Sequence, residues 1–259
     1  MTLSLYQVDA FASRPFSGNP AAVVLLEKPL PDSTLQAIAA ENNLSETAYL
    51  LPEKNGYGLR WFTPTIEMDL CGHATLASAH VLFSEGIWQK DSVEFFTRSG
   101  TLTVKPSSQG YEMDFPLRVG EPCDLPAEVA RRLPVTPLHV DKFAEDYLVV
   151  VDEATVMDFE QNFIDLPGAG GVILTAQSSG DHDIVSRFFC FRDLGIVEDP
   201  VTGSIHCQLA SYWGPALAKQ ALIARQASVR GGELHLQVEG QRVLIRGQAV
   251  TYLKGDIVV

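Results

Sequence analysis

Basic residues are scarce in this chain: 19 Lys and Arg stand against 32 Asp and Glu, a formal charge of −13 over 259 residues. No Lys/Arg-rich run interrupts that excess, so a nucleic acid or an acidic membrane surface would meet a repulsive field, and neither is an expected partner. A small anionic ligand stays compatible wherever positive potential is local. Cysteine is sparse too. Cys71, Cys123, Cys190 and Cys207 are scattered without a C-x-x-C pair, which argues against a structural zinc site or a dense disulfide framework and fits a reducing, cytoplasmic setting. The N-terminus has no basic stretch leading into an apolar one, and no window approaches the eighteen or more apolar residues of a membrane span. The signatures G-x-S-x-G, G-x-x-x-x-G-K-[ST], H-E-x-x-H and a strand-borne G-x-G-x-x-G are all missing. No metal or cofactor is therefore expected.

What is present is an ordinary globular composition, 46% hydrophobic and 20% charged, with 13 Phe, 7 Tyr and 3 Trp. It suits one large domain or two modest ones, each able to bury a core without staples. Alternation predicts an opening strand from Leu3 to Phe11, and the apolar run Ala21 to Leu26 reads as a buried strand. A helix follows from cap candidates at Pro31-Asp32-Ser33 to Asn43. Strands from Ala48 to Leu51 and Gly58 to Thr63 flank the Asn55-Gly56 hairpin signal. Cys71-Gly72-His73-Ala74 then opens a helix to about Glu85 whose residues are apolar almost all round, the mark of a buried helix. Three strands end at Phe115, and Pro116 to Pro126 is the linker, dividing the chain into 1–117 and 118–259.

The second part repeats the first. Arg187-Phe188-Phe189, an acidic loop and Thr202-Gly203-Ser204 correspond to Arg60-Trp61-Phe62, an acidic loop and Cys71-Gly72-His73, each ahead of a nearly all-apolar helix. Strands outnumber helices, so the expected class is α+β: two pseudo-symmetric lobes, each a mostly antiparallel sheet wrapped around one buried helix. Gly168-Ala169-Gly170-Gly171 reads as a turn into a strand.

Both central helices begin at a glycine, where unsatisfied N–H groups and roughly half a positive charge favour an anion. Gly72 and Gly203 thus mark either a carboxylate site or merely tight packing at the two helix starts. Acidic residues gather in the same loops. Glu46 stands among Leu44, Ala48 and Tyr49, surroundings that raise a carboxyl pKa for acid–base work, although from position alone a turn or capping role hydrogen-bonding the Asn43 to Thr47 backbone explains it better. Glu67 and Asp69 are explained by solvation or capping. His73 is a candidate proton shuttle at a helix start, and Cys71 a candidate thiolate there. His206 and Cys207 read as core.

Val8-Asp9-Ala10-Phe11, Phe16 to Val23, Asn43-Leu44-Ser45-Glu46-Thr47, Arg60-Trp61-Phe62-Thr63-Pro64, Cys71-Gly72-His73-Ala74-Thr75 and Glu198 to Ser204 resemble, in order and spacing, the signatures of the PhzF-like phenazine-biosynthesis isomerase family. The resemblance implies the diaminopimelate epimerase fold, with the active site in a cleft between the lobes. It also implies a homodimer and an isomerase that moves a proton on a small carboxylate-bearing molecule without cofactor or metal. Glu46 would then be the acid/base and His73 and Asp199 its polar partners, with Asn19, Gly72, Gly203 and Ser204 holding the substrate. Related epimerases place a cysteine on each side, whereas this chain offers only Cys71. An epimerase or racemase using Cys71, or a non-catalytic anion-binding protein, are the alternative readings.

Overall fold

The protein is described by a computed structural model covering residues 1–160, 166–168, 170–192 and 196–259. It divides into two compact units, Met1–Asp114 with Arg246–Val259, and Phe115–Ile245. The first holds β1 (Thr2–Ala10), β2 (Asn19–Leu25), α1 (Asp32–Asn42), β3 (Glu46–Glu53), β4 (Gly56–Phe62), β5 (Glu67–Met68), α2 (Gly72–Ser84), β6 (Val93–Thr97), β7 (Gly100–Ser107) and most of β8 (Gly110–Pro116). The second holds β9 (Glu121–Pro122), α3 (Ala127–Arg132), β10 (His139–Phe143), β11 (Asp146–Val150), α4 (Glu153–Asp158), β12 (Gly171–Gln177), β13 (Ile184–Cys190), β14 (Glu198–Asp199), α5 (Gly203–Leu217), β15 (Ala221–Gln226), β16 (Gly232–Glu239) and most of β17 (Arg242–Gly247). The last strand, β18 (Ala249–Val258), returns to the first unit and pairs with β1 from Thr2↔Val258 to Ala10↔Ala249. A division at 117 leaves residues 246–259 with the second part. This long antiparallel pairing is what ties them to the first, as the apolar run at Ile257 to Val259 hinted.

Strand-rich, mostly antiparallel and with five short helices among the described residues, the chain is α+β. Duplication is visible in the pairing. In the first unit β1–β2 is antiparallel, β2–β3 parallel across α1, β3–β4 antiparallel, and β4–β6 parallel across α2. The second unit follows the same scheme: β10–β11 antiparallel, β11–β12 parallel across α4, β12–β13 antiparallel, and β13–β15 parallel across α5. The aligned arginines do the same work in each copy. Arg60 makes a two-pronged contact with Glu67 at 2.6 and 2.8 Å, and Arg187 does so with Glu198 at 2.7 and 2.9 Å. Each arginine also lies over the phenylalanine two residues on, Phe62 or Phe189. Glu67 and Glu198 are therefore structural acids that clip a short strand to its neighbour, as bidentate Arg–carboxylate pairs do.

Helix α2 is buried along nearly its whole length, from His73 to Ala79 and at Val81 and Leu82. Its few hydroxyls are satisfied within the helix: Thr75 Oγ1 donates to Cys71 O at 2.6 Å and Ser78 Oγ to Ala74 O at 2.7 Å. Helix α5 is buried at Gly203, from Ile205 to Ala210, and at Trp213 and Gly214; Trp213 donates its indole N–H to Thr175 Oγ1 at 3.1 Å. His206 and Cys207 lie in this core, as expected. Strands β10 and β15 fall in stretches whose alternation is too weak to announce them, and Ala169 of the glycine cluster lies outside the described residues. None of the four cysteines is in a disulfide. Among the described residues, no helix is long and apolar enough to cross a membrane.

Candidate active site

Glu46 is the first residue of β3, and the turn that delivers it is built by its neighbours. Asn43 takes the left-handed conformation (φ 50°, ψ 38°) that ends α1, its N–H reaching Ala39 O at 3.2 Å. Asparagine tolerates that region better than most residues. Asn42 Nδ2 then donates to Thr47 Oγ1 at 3.1 Å across the turn. With the turn closed by these asparagines, capping does not account for Glu46. Its carboxylate instead faces α2, with Oε2 at 3.0 Å from His73 Nε2. The side chains are 14% and 5% exposed, and the two facing atoms are both shut off from solvent. The contact is close, yet its angles fall short of a well-aligned hydrogen bond, which is common in catalytic pairs before substrate binds.

His73 is held from its other side. Asn19 Nδ2 lies 3.2 Å from Nδ1 and Cys71 Sγ 3.4 Å from the same atom. An amide N–H at Nδ1 makes that nitrogen an acceptor and leaves the ring proton on Nε2, aimed at Glu46. A half-turn of the amide would offer its oxygen to a protonated Nδ1, so an asparagine can serve either state of the ring. Asn19 begins β2 beside α2 and is fully buried. The structure thus places its side-chain amide behind His73. Gly18 just before it has φ +67°, and a Cβ there would stand 2.1 Å from Ala10 O, so only glycine fits. The loop it closes is anchored by Asp9 Oδ2, which accepts from Phe16 N–H at 2.9 Å.

Burial opposes a charge on His73, whereas the facing Glu46 carboxylate and the sulfur contact with Cys71 favour one, and the balance raises its pKa above the ordinary value. For Cys71, burial followed by the Glu46 charge pushes the thiol up. The helix-start effect that favours a thiolate is outweighed, and Cys71 stays protonated at neutral pH. Glu46, Cys71 and His73 bring their ligand atoms within 4.8 Å of one another. Cys71 faces Nδ1 and Glu46 faces Nε2, however, and one ion cannot lie along both lone-pair directions of an imidazole, so this trio suits proton sharing better than metal binding. No side chain caps α2 at Cys71, so its first N–H groups keep their affinity for an anion beside the half-exposed Gly72.

In the second unit Asp199 is 8% exposed, lies on β14 opposite Phe188, and accepts from Thr202 Oγ1. Gln226, fully buried on β15, ties this corner together. Its Nε2 donates to Asp199 O at 2.7 Å and its Oε1 accepts from Thr202 N–H at 2.8 Å. Sequence reasoning missed Gln226, since a glutamine ending an otherwise unremarkable strand carries no motif. Gly203 is buried at the start of α5 and Ser204 is half-buried beside it. Through the shared register, Gly171 stands where Glu46 stands in the first copy, Thr202 where Cys71 stands, and Ser204 where His73 stands. The Glu46–Cys71–His73 cluster therefore has no counterpart of the same residue types in the second copy.

Comparison with known proteins covers nearly the whole chain. The sequence pattern of the family described as phenazine biosynthesis-like protein matches residues 8–255. A protein of Pseudomonas aeruginosa named as an uncharacterized isomerase is 47% identical over 260 residues, covering 99% of both chains. The crystal structure of a PhzF-family phenazine biosynthesis protein from Enterococcus faecalis superposes with a TM-score of 0.94 at 42% identity, covering 100% of each chain. A hydroxyproline epimerase from Agrobacterium vitis, 12% identical, matches with a TM-score of 0.62 over 99% of this chain and 92% of its own, which shows a shared epimerase-type fold. The chain belongs to the phenazine biosynthesis-like family and is an isomerase of that group.

Proposed function

We propose that this isomerase moves a proton on a small carboxylate-bearing metabolite, with Glu46 as the group that takes and returns it. The observation that carries the reading is the pairing of Glu46 with His73 at 3.0 Å in a nearly closed setting, with Asn19 behind. Glu46 keeps the greater exposure of the two, so it meets the substrate while His73 acts through it. In the first half-reaction a C–H bond next to an activating carboxylate or conjugated system breaks and the proton passes to Glu46. The electron pair spreads into the substrate, and the negative charge that develops is favoured by uncapped helix-start N–H groups at Gly72. In the second half-reaction Glu46 returns the proton at a different carbon. His73, in contact with the same carboxylate, orients it. Only the chain's own groups are needed.

Asp199, Gly203 and Ser204 enter this proposal as second-unit groups for binding and orienting the substrate, supported by resemblance and by the braced Asp199–Thr202–Gln226 corner. A two-base epimerase needs a second acid/base. Neither the buried, protonated Cys71 nor its counterpart Thr202 favours that reading. None of the four cysteines is in a disulfide and three are buried, which supports a reducing cytoplasmic setting.

The test is proton exchange in D₂O, followed by NMR with the purified protein and a panel of cyclic-diene and amino-acid carboxylates. Exchange that disappears in Glu46→Gln and persists in Cys71→Ser supports the glutamate. Loss with Cys71→Ser transfers the role to the thiol. Binding without exchange across the panel favours the anion-binding alternative.

A further inference from the structure

The last turn of α2 borders a cleft that no step of the proposed reaction uses. It measures about 410 Å³, the size of a small-molecule site, and every residue lining it belongs to the first unit. Phe83 and Tyr111 form one wall, their rings stacked at 5.9 Å and 19°, while Ala12, Ser13 and the start of β18 border the rest. His80 is its polar centre, two helical turns or roughly 10 Å along α2 from His73. Its Nδ1 lies 3.2 Å from the Tyr111 hydroxyl and its Nε2 2.9 Å from Thr251 Oγ1.

The fold does not require this arrangement. Through the duplicated register His80 and Phe83 correspond to Ser211 and Gly214 of α5, so the second copy has neither the imidazole nor the aromatic wall. The backbone around the cleft is irregular as well. β1 and β18 slip register at Tyr252, between Val8↔Thr251 and Gln7↔Leu253. Such a bulge re-aims a neighbouring side chain, and the neighbour, Thr251, is the one that meets His80. Phe11 (φ 58°) and Phe16 (φ 70°) hold left-handed conformations on either side of the segment that supplies Ala12 and Ser13. Bulky residues rarely adopt that region, and strain of this kind gathers where ligands bind.

The lining selects the chemistry of the ligand. No Asp, Glu, Lys or Arg is part of it. Lys105 and Arg246 are both held by Glu112, which points to the opposite side of β8 from Tyr111. The cleft lies at the negative end of the α2 dipole, which opposes an anion. Burial outweighs the Glu85 charge and keeps His80 neutral at pH 7. A charged ligand would have no counter-charge there. A neutral imidazole has one N–H and one lone pair, so one of its two hydroxyl partners donates to the ring and the other accepts. Tyr111 lines the cleft and Thr251 does not. The Tyr111 oxygen therefore offers the cleft an O–H when Nδ1 carries the proton and a lone pair when Nε2 does. A group with both a C=O and an N–H matches either tautomer.

We propose that this cleft binds an uncharged, flat ring bearing a carboxamide-type group, with the ring against Phe83 and Tyr111 and the amide at the Tyr111 hydroxyl. Such a ligand differs from the carboxylate expected at Glu46, so this is a second small-molecule site of the chain.

The test is titration of the isotope-labelled full chain with benzamide, benzoate and benzamidine, three flat molecules of one size that differ in charge, followed by amide chemical shifts. Benzamide is expected to give saturable shifts at His80 to Ser84 and at Gly110 and Tyr111, with the two charged molecules binding at least tenfold more weakly. Tyr111→Phe keeps the wall and removes one hydrogen bond, so the Kd for benzamide should rise about fivefold. Ser84→Phe, at an exposed position on the rim, fills the cleft and should abolish binding. Circular dichroism checks both folds. Absence of saturable shifts at these amides overturns the proposal, as does benzoate or benzamidine binding as tightly as benzamide, undiminished binding in folded Ser84→Phe, or an unchanged Kd in folded Tyr111→Phe. If Tyr111→Phe does not fold, the charge series and Ser84→Phe decide. The readout needs no turnover, so its outcome is separate from that of the Glu46 assignment.

Discussion

Replacing Glu46 by glutamine keeps the shape and an oxygen for His73 Nε2–H but removes the charge and the proton-accepting capacity. Glu46 is 14% exposed and His73 5%, so the amide enters a space that already holds a group of its size, and the fold should persist. A positioned acid/base group is worth about 10²–10⁴ in rate, or about 2.7–5.4 kcal/mol at 1.36 kcal/mol per decade. The expected result is a fall of that size in the rate of C–H exchange into D₂O, with circular dichroism showing that the variant is folded. The pH dependence carries a second readout. His73 has its pKa raised in the folded protein, in part by Glu46, so the Glu46–His73 contribution to stability is full below the unfolded histidine pKa of about 6.5 and is lost as pH rises through the higher folded value. The stability gap between wild type and Glu46→Gln should therefore be widest in mild acid and close on the alkaline side, read by thermal melts from pH 5.5 to 9. Exchange within threefold of wild type in a folded Glu46→Gln protein would refute the assignment.

Other perturbations test separate parts of the argument. Cys71→Ser should keep exchange within about tenfold of wild type, because burial and the Glu46 charge already keep the thiol protonated; iodoacetamide labelling of native protein should leave Cys71 unmodified over the same pH range. Gln226→Leu strands the Asp199 carbonyl and the Thr202 N–H in a buried corner. At about 1–3 kcal/mol for each orphaned group, calorimetry should show a melting temperature several degrees lower. His206 is fully buried with its pKa lowered to about 4 by desolvation, so the unfolded chain binds this proton first as pH falls. Stability should drop between about pH 6.5 and 4, by about 3 kcal/mol if this group acts alone, and His206→Gln should flatten that limb of the stability–pH curve in urea titrations.

Much of the molecule was legible in its residues because the signals were local or repeated. Two helices apolar on every side have nowhere to go but the centre of a sheet, and α2 and α5 are there. Matched Arg-x-Phe segments announced a duplication that the paired strands and the two arginine–glutamate clips reproduce. Glu46 and His73 could be named from the chain, but their partnership could not. They are separated by β3, β4 and β5, and nothing in the spacing says that the parallel β2–β3 pairing and the packing of α2 bring their side chains to 3.0 Å. Asn19 was named only through the family resemblance, and tertiary structure adds that it is fully buried with its amide against His73. Cys71 carried the helix-start signal of a reactive thiol. Its protonation is governed by desolvation, a property of everything packed around it, and for that reason the candidate groups could be named from the chain while only tertiary structure decided which of them meet and how each is solvated.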